Sequence, residues 1–216
     1  DIKLWDRAES ELRSVLDARY GENGYKINEG DGAFYGPKID IMMTDALNRV
    51  WQTGTIQLDF QLSRNFNLTY TDKDGKQKIP VVVHRVIYGS LERFIGILIE
   101  HFAGKFPFWI SAKQVGIVPV REEHTEYAKE IAEKLRFAKI RAVVDTSEGN
   151  MGNKIKSFRK KMLPYIIIVG DKEKENKTIS LRVRTGKQVN DISLDIFVES
   201  CKYMVENHCL DLKEEF

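Results

Sequence analysis

Beyond residue 111 the chain alternates apolar strand-like runs with helical stretches, and that alternation constrains the fold more than any other feature. Val115–Val120 reads as a strand, and Thr125–Phe137 as a helix with Tyr127, Ile131 and Leu135 on one face. Arg141–Val144 is a second strand and Asn153–Met162 a basic helix. Tyr165–Val169 is a continuous apolar strand, followed by the charged turn Gly170–Glu175, the strand Ile179–Arg184 and a last helix over Leu194–Val205. Such an order requires a sheet with helices packed on its faces.

Residues 1–110 follow a different pattern. Leu4, Trp5, Ala8, Leu12, Val15 and Leu16 mark an amphipathic helix over residues 3–19. The stretch 25–110 then looks antiparallel. Its strands are Ile-Asp-Ile-Met-Met (39–43) and Ile-Gln-Leu-Asp-Phe (56–60), and an Asp74-Gly75 turn between Leu68–Tyr70 and Val81–Ile87 signals a hairpin. Gly89-Ser90 breaks the chain before a helix over Leu91–Phe102. The expected class is therefore α/β (α+β) in two domains, 1–110 built on an antiparallel sheet and 111–216 on a mixed sheet.

The charge divides along the same line. The whole chain holds 34 Lys and Arg against 32 Asp and Glu. Residues 1–110 carry 14 basic and 15 acidic side chains, whereas residues 154–187 alone carry 11 basic and 3 acidic. A local excess of that size attracts polyanions, with an affinity that falls as salt rises. Two cysteines, Cys201 and Cys209, exclude a disulfide framework and an all-cysteine zinc site. No apolar run reaches the ~18 residues of a membrane span. The sequence starts at Asp1 with no signal-like stretch, as a processed product or an excised fragment would.

Three segments of the first block carry candidate chemistry. Gly32-Ala33-Phe34-Tyr35-Gly36-Pro37-Lys38 lets backbone approach a ligand and offers a hydroxyl and a cation. It also reads as a plain strand connector. In Trp51–Phe60, alternation puts Gln57 and Asp59 on one face, opposite Leu58 and Phe60, as a pocket wall or a half-exposed strand requires. In Val81–Phe94, a strand bearing His84 and Arg85 runs into a helix capped by Ser90. Arg93 falls in its first turn, where the helix dipole favours anions, and a nearby phosphate would account for it. A lone histidine on such a strand is more often a core residue than a ligand.

These segments resemble the class II aminoacyl-tRNA synthetases, specifically the threonyl-tRNA synthetases. The likeness runs through DGAFYGPKID, QTGTIQLDFQL and VHRVIYGSLERFIGILIEHFAGKFPFWIS, and on into GDKEKE and LRVRTGK. The strand–Gly–helix segment is similar to motif 3 of that class, and the ending Glu214-Glu215-Phe216 to eukaryotic cytosolic members. The resemblance implies a catalytic-core portion over 1–110, an anticodon-binding domain over 111–216, and an ATP-dependent ligase that activates threonine and transfers it to threonine tRNA. It gives Arg93 and Lys38 catalytic roles and has Lys38, Gln52, Thr55 and Arg93 contact ATP, which comes with Mg. It places Tyr35, Gln57 and Ser90 in the threonine pocket and makes His84 a zinc ligand. It sets Asn153, Lys154, Glu175 and Arg184 against the anticodon. A homodimer for the full-length enzyme, no DNA or membrane partner, and a cytoplasmic or mitochondrial location are implied too.

The departures from that family are as informative. Motif 1, motif 2 and the two further zinc ligands do not occur in these 216 residues. The expectation is a fragment inactive alone, with the other two zinc ligands upstream. A non-catalytic tRNA-binding module and a sibling class II ligase are the alternatives.

Overall fold

The computed structural model describes residues 2–216 and divides into two compact units that part between Ile97 and Leu98. In chain order come helix α1 (Ile2–Tyr20), strands β1 (Lys38–Thr44) and β2 (Val50–Asp59), and the short helix α2 (Leu62–Asn65). Strands β3 (Tyr70–Thr71), β4 (Gln77–Lys78) and β5 (Val82–Val86) follow, then helix α3 (Leu91–His101), in which the division falls. The remainder is β6 (Val115–Pro119), α4 (Thr125–Phe137), β7 (Ala142–Val144), α5 (Met151–Lys160), β8 (Tyr165–Val169), α6 (Asp171–Asn176), β9 (Thr178–Val183), β10 (Gln188–Ser193) and α7 (Leu194–Glu206).

The first unit is built on an antiparallel sheet in the order β1-β2-β5. Lys38 pairs with Gln57 and Asp40 with Thr55, while Gln57 and Thr55 pair on their other side with His84 and Val86. Directly paired residues share a face, so this register gathers Lys38, Asp40, Thr55, Gln57 and His84 on one surface. The register slips between Ile41 and Met42, which leaves an extra residue on β2. That bulge re-aims Gln52 onto the same surface, where strict alternation would have put its neighbours. α1 turns Ala8 inward and sets Trp5 edge-on to Phe60, with ring centroids 6.1 Å apart, but Val15 faces solvent.

The expected hairpin is smaller than its sequence suggests. Gly75, at φ +75°, makes the turn, but the turn joins only β3 to β4. Pro80 cannot donate to a ladder, and beyond it β5 leaves the ribbon and pairs with β2 instead.

The second unit holds a mixed sheet in the order β10-β9-β8-β6-β7, with β6 parallel to β7 and β8. Alternation along the strands makes two cores. Val115, Ile117, Tyr165 and Ile167 pack with Ile131 and Leu135 of α4 and Phe197 and Met204 of α7. On the other face Val118 and Ile166 pack with Ile155 and Phe158 of α5. Gly116 makes the second contact close: a Cβ there would stand 2.6 Å from the Phe158 ring. Phe108, fully buried, joins the first of these cores, so the second unit begins before the expected boundary at 110. The expected charged turn at 170–175 is the helix α6, because Glu173 reaches back to accept from the Gly170 N–H at 2.9 Å and from the Ser180 hydroxyl at 2.6 Å. β10 was not expected from the sequence.

Candidate functional site

The polar face of the first sheet walls a cavity of about 510 Å³, lined by Asp31, Gly32, Ala33, Lys38, Gln52, Thr55, Gln57, His84, Arg85 and Val86. Asp40 ties three of the expected nucleotide contacts together. It pairs with Lys38 at 2.8 Å and accepts from the Gln52 amide at 2.7 Å and the Thr55 hydroxyl at 2.7 Å. Gln52 donates to Thr55 as well, at 3.0 Å. Burial works to raise the Asp40 pKa, but the hydrogen bonds from Lys38, Thr55 and Gln52 outweigh it and hold the carboxyl below its ordinary range. The bond to Asp40 in turn raises the Lys38 ammonium above its ordinary value. Asp40 escaped the sequence reading, because alternation names a face without saying which acid stands at its centre.

Around Gln57 and His84 the geometry is equally specific. The Tyr35 hydroxyl donates to Gln57 at 3.1 Å. His84 Nε2 stands 3.0 Å from an Asp59 carboxylate oxygen, and the Gln61 and Leu62 N–H groups donate to the other Asp59 oxygen at 2.8 Å each. The Leu62 N–H first, then His84, lowers the Asp59 pKa. An ionised Asp59 only accepts, so His84 donates from Nε2, and the neutral imidazole then has its lone pair on Nδ1. That is the arrangement by which a carboxylate fixes a metal-binding imidazole. Gly36 brings the loop in: a Cβ there would stand 1.9 Å from the Leu58 carbonyl, beside the Phe60 N–H bond to Tyr35 O at 2.9 Å.

Ser90 and Arg93 lie outside the cavity lining. Ser90 Oγ accepts from the Arg93 N–H at 3.3 Å and donates to Glu92 at 2.9 Å, the cap expected from sequence. Arg93 donates to the Gln52 carbonyl at 2.6 Å, so its guanidinium is tethered to the strand whose side chains wall the cavity. Gly89, at φ +65°, makes room for it, since a Cβ there would meet Arg93 Nη2 at 2.6 Å.

In the second unit, Asn153 is exposed in the first turn of α5, and its N–H is held by the Asn150 side chain at 2.9 Å. Lys154 Nζ reaches the Asp145 carbonyl at 3.4 Å, and Glu175 is exposed on α6. Arg184 is placed differently. Its guanidinium donates to the carbonyls of Phe106 at 3.0 Å, Met162 at 3.0 Å and Lys105 at 3.1 Å. Arg182, two residues earlier on β9, has a buried Nε with no hydrogen-bond partner. It shares the α5 side of the sheet with Ser180, since both pair with the α5-facing residues Ile166 and Ile168. The sequence reading passed over Arg182 and Glu173.

Glu123, His124 and Asp171 form a compact group of the kind that can hold a metal. His124 Nδ1 accepts from the Arg121 N–H at 3.1 Å, which puts its proton on Nε2, 3.0 Å from Asp171. Both nitrogens are engaged, and the group reads as a clamp at the start of α4.

Comparison with known proteins follows the same division. Residues 3–102 match the family model of the tRNA synthetase class II core domain (G, H, P, S and T), and residues 114–203 that of the anticodon binding domain. The threonine–tRNA ligase of Petrotoga mobilis is 47% identical over 212 residues, which cover 98% of this chain and 33% of that protein. The corresponding ligase of Campylobacter lari is 50% identical over 204 residues, 94% of this chain and 33% of that protein. A crystal structure of the RNA binding domain of threonyl-tRNA synthetase from Cryptosporidium parvum superposes with a TM-score of 0.78 at 40% identity, covering 94% of this chain and 51% of that one.

The chain belongs to the threonyl-tRNA synthetase family.

It spans about a third of the length of the curated threonyl-tRNA synthetases it matches. The cavity lies within the residues that match the class II core, and Asn153, Lys154, Glu175 and Arg184 within those that match the anticodon domain. Among the described residues no helix is long and apolar enough to cross a membrane.

Proposed function

We propose that these residues are the C-terminal portion of an ATP-dependent threonine–tRNA ligase, in which the first unit contributes to amino-acid activation and the second binds the tRNA. The observation that carries the reading is the polar cavity of the first unit, where the Lys38–Asp40–Gln52–Thr55 web meets the His84–Asp59 pair. In the proposed reaction a threonine carboxylate oxygen bonds the α-phosphorus of ATP, bound with Mg, and pyrophosphate leaves. A hydroxyl at the 3′ end of threonine tRNA then takes the threonyl group from the resulting adenylate, and AMP leaves. Lys38 and the exposed, tethered Arg93 supply positive charge to the phosphates, and Gln52 and Thr55 offer polar atoms to the nucleotide. Tyr35, Gln57 and Ser90 are assigned to threonine.

The donor set suits zinc in one respect: His84 presents a carboxylate-oriented imidazole with its lone pair on Nδ1. One histidine does not make a site, and catalytic zinc takes three protein ligands, so the remaining two would come from residues outside this chain. With zinc bound, His84 would be one of its ligands, and the ion would supply Lewis-acid recognition of a hydroxyl-bearing amino acid. A site built to satisfy a hydroxyl strongly rejects a substrate that lacks one.

Asn153, Lys154 and Glu175 are assigned to the anticodon. The placement of Arg184, with its guanidinium on three carbonyls, supports a positioning role within the anticodon-binding unit. A homodimer of the full-length protein and a cytoplasmic location accompany this reading. The span of a third of its relatives favours one second reading, tRNA binding without adenylation by these 216 residues on their own.

Threonine-dependent ATP–pyrophosphate exchange tests the proposal. The polypeptide extended by the upstream portion that the relatives carry should exchange with threonine and lose exchange in Arg93→Ala. The 216 residues alone should give none. Exchange with proline or glycine in place of threonine would transfer the chain to a sibling ligase.

A further inference from the structure

We infer that the second unit carries a separate contact for an unpaired segment of the bound tRNA, at the end of the sheet away from Asn153, Lys154 and Glu175. A cavity of about 440 Å³ opens beside the N-terminal ends of β6 and β7, walled by Lys113, Arg136, Lys139 and Arg141 with Ile140 and Val143. Asn153, Lys154 and Glu175 follow the C-terminal ends of β7 and β8, whereas Arg184 follows β9 at the opposite end, beside the start of β8. The two sites are therefore a strand's length apart, ~17 Å for five residues.

Three observations select RNA as the occupant. The first is unopposed charge. Residues 134–144 hold four cations and no acid; Lys134 pairs with Asp195, but among the described residues none of Lys113, Arg136, Lys139 and Arg141 forms an ion pair. The second is pre-organisation. Arg141 donates to the carbonyls of Ser111 at 3.0 Å and Trp109 at 2.8 Å, and Arg136 uses its Nε on Ala142 O at 3.3 Å, which leaves its two terminal nitrogens for a ligand. A guanidinium held in place loses less freedom on meeting a phosphate. The third is Phe137, 95% exposed at the last position of α4 and next to Arg136. An aromatic ring in water beside cations is the platform on which an unpaired base stacks while phosphates meet the charges. An acidic protein surface would use the cations and leave the ring idle.

Lys139 adds a clean handle. It holds φ +61° after α4, with its N–H on Arg136 O at 2.8 Å and the Ile140 N–H on Leu135 O at 2.9 Å. This is the helix-ending motif in which glycine is the usual occupant. Lys139→Gly therefore removes a charge while suiting the backbone.

The site is independent of the adenylation reading, and the test uses the whole 216-residue chain. Binding of fluorescein-labelled threonine tRNA and of a labelled decauridylate is measured by anisotropy across a salt series. Phe137→Ala should weaken both by about tenfold, the loss of one stacked base, with an unchanged salt slope. Lys139→Gly should reduce the slope of log K against log salt by about 0.7, one phosphate contact on single-stranded nucleic acid, with an unfolding temperature unchanged or raised. The tenfold loss in Phe137→Ala should persist in an Asn153→Ala/Lys154→Ala background. If both patch variants bind as the parent chain does while Asn153→Ala/Lys154→Ala alone abolishes tRNA binding, the patch is no RNA site and the anticodon assignment stands. Loss of binding to polyglutamate with RNA binding intact would make it an acidic-protein surface and overturn the inference. Failure of the parent chain to bind either RNA would overturn both.

Discussion

Asp40 shows how one side chain decides the state of its neighbours. Three groups assigned to ATP converge on it. Its folded pKa lies below the unfolded value, so it contributes stability that is present above about pH 4 and is lost as pH falls through the folded value. Asp40→Asn should therefore flatten the acid limb of a urea-midpoint profile between about pH 5 and 2 and leave the profile near neutrality parallel to that of the parent chain. An undiminished acid limb would show that the web does not hold Asp40 as described. Arg184 gives the opposite lesson. Its three carbonyl contacts tie residues 105–106 and 162 to β9, so Arg184→Ala should cost about 2 kcal/mol in equilibrium unfolding, with poor rescue by lysine, which lacks the planar fork. A loss below about 0.5 kcal/mol, the range of an ordinary surface substitution, would show that these contacts do not hold the three segments together.

At the scale of elements, helix α5 shows both what the sequence displays and what it hides. Its basic, amphipathic run was legible, but the expected start at Asn153 fell two residues late. The start is set by Asn150, whose side chain accepts from the Asn153 N–H at 2.9 Å. Asn150→Ala should cost about 1 kcal/mol in equilibrium unfolding and loosen the loop that carries Asn153. An unchanged unfolding midpoint would sink that account of the cap. Long periodic elements such as α4 and the apolar β8 were readable because burial imposes the period directly. β10 was not, since Gln188–Ser193 is polar and breaks register between Val189 and Ile192. α6 was read as a turn because its six residues stand on one long-reach cap, Glu173 to Gly170, rather than on a buried face. The site divided in the same way. Motif-bearing residues such as His84 and Ser90 were visible in the sequence, whereas the alignment of Gln52 with Thr55 depends on a β-bulge that no alternation pattern announces.

Across the whole molecule, apolar burial is distributed unequally between the two units. Of the buried apolar side chains among the described residues, only Ala8, Pro37 and Phe60 precede Leu98. The first unit instead exposes Ile41, Met42, Met43, Val83, Ile87 and Leu91, and no residue of α3 is buried. Exposed apolar side chains in this number mark surface that another segment or partner covers. The second unit has two cores on opposite faces of its sheet, and its C-terminal Phe216 closes one of them, 5.5 Å from Phe197 and 6.1 Å from Tyr165 between ring centroids. Folding free energy scales with the apolar area removed from water, so the units should differ in autonomy. Residues 98–216 expressed alone should unfold in one cooperative thermal transition. Residues 1–97 alone should bind a hydrophobic dye such as ANS and lack a cooperative transition, the behaviour of a chain with unpacked apolar surface. A sharp calorimetric peak from residues 1–97 with no dye binding would mean that its two-sided sheet is stable uncovered. The exposed apolar surface would then have to be explained without a covering segment.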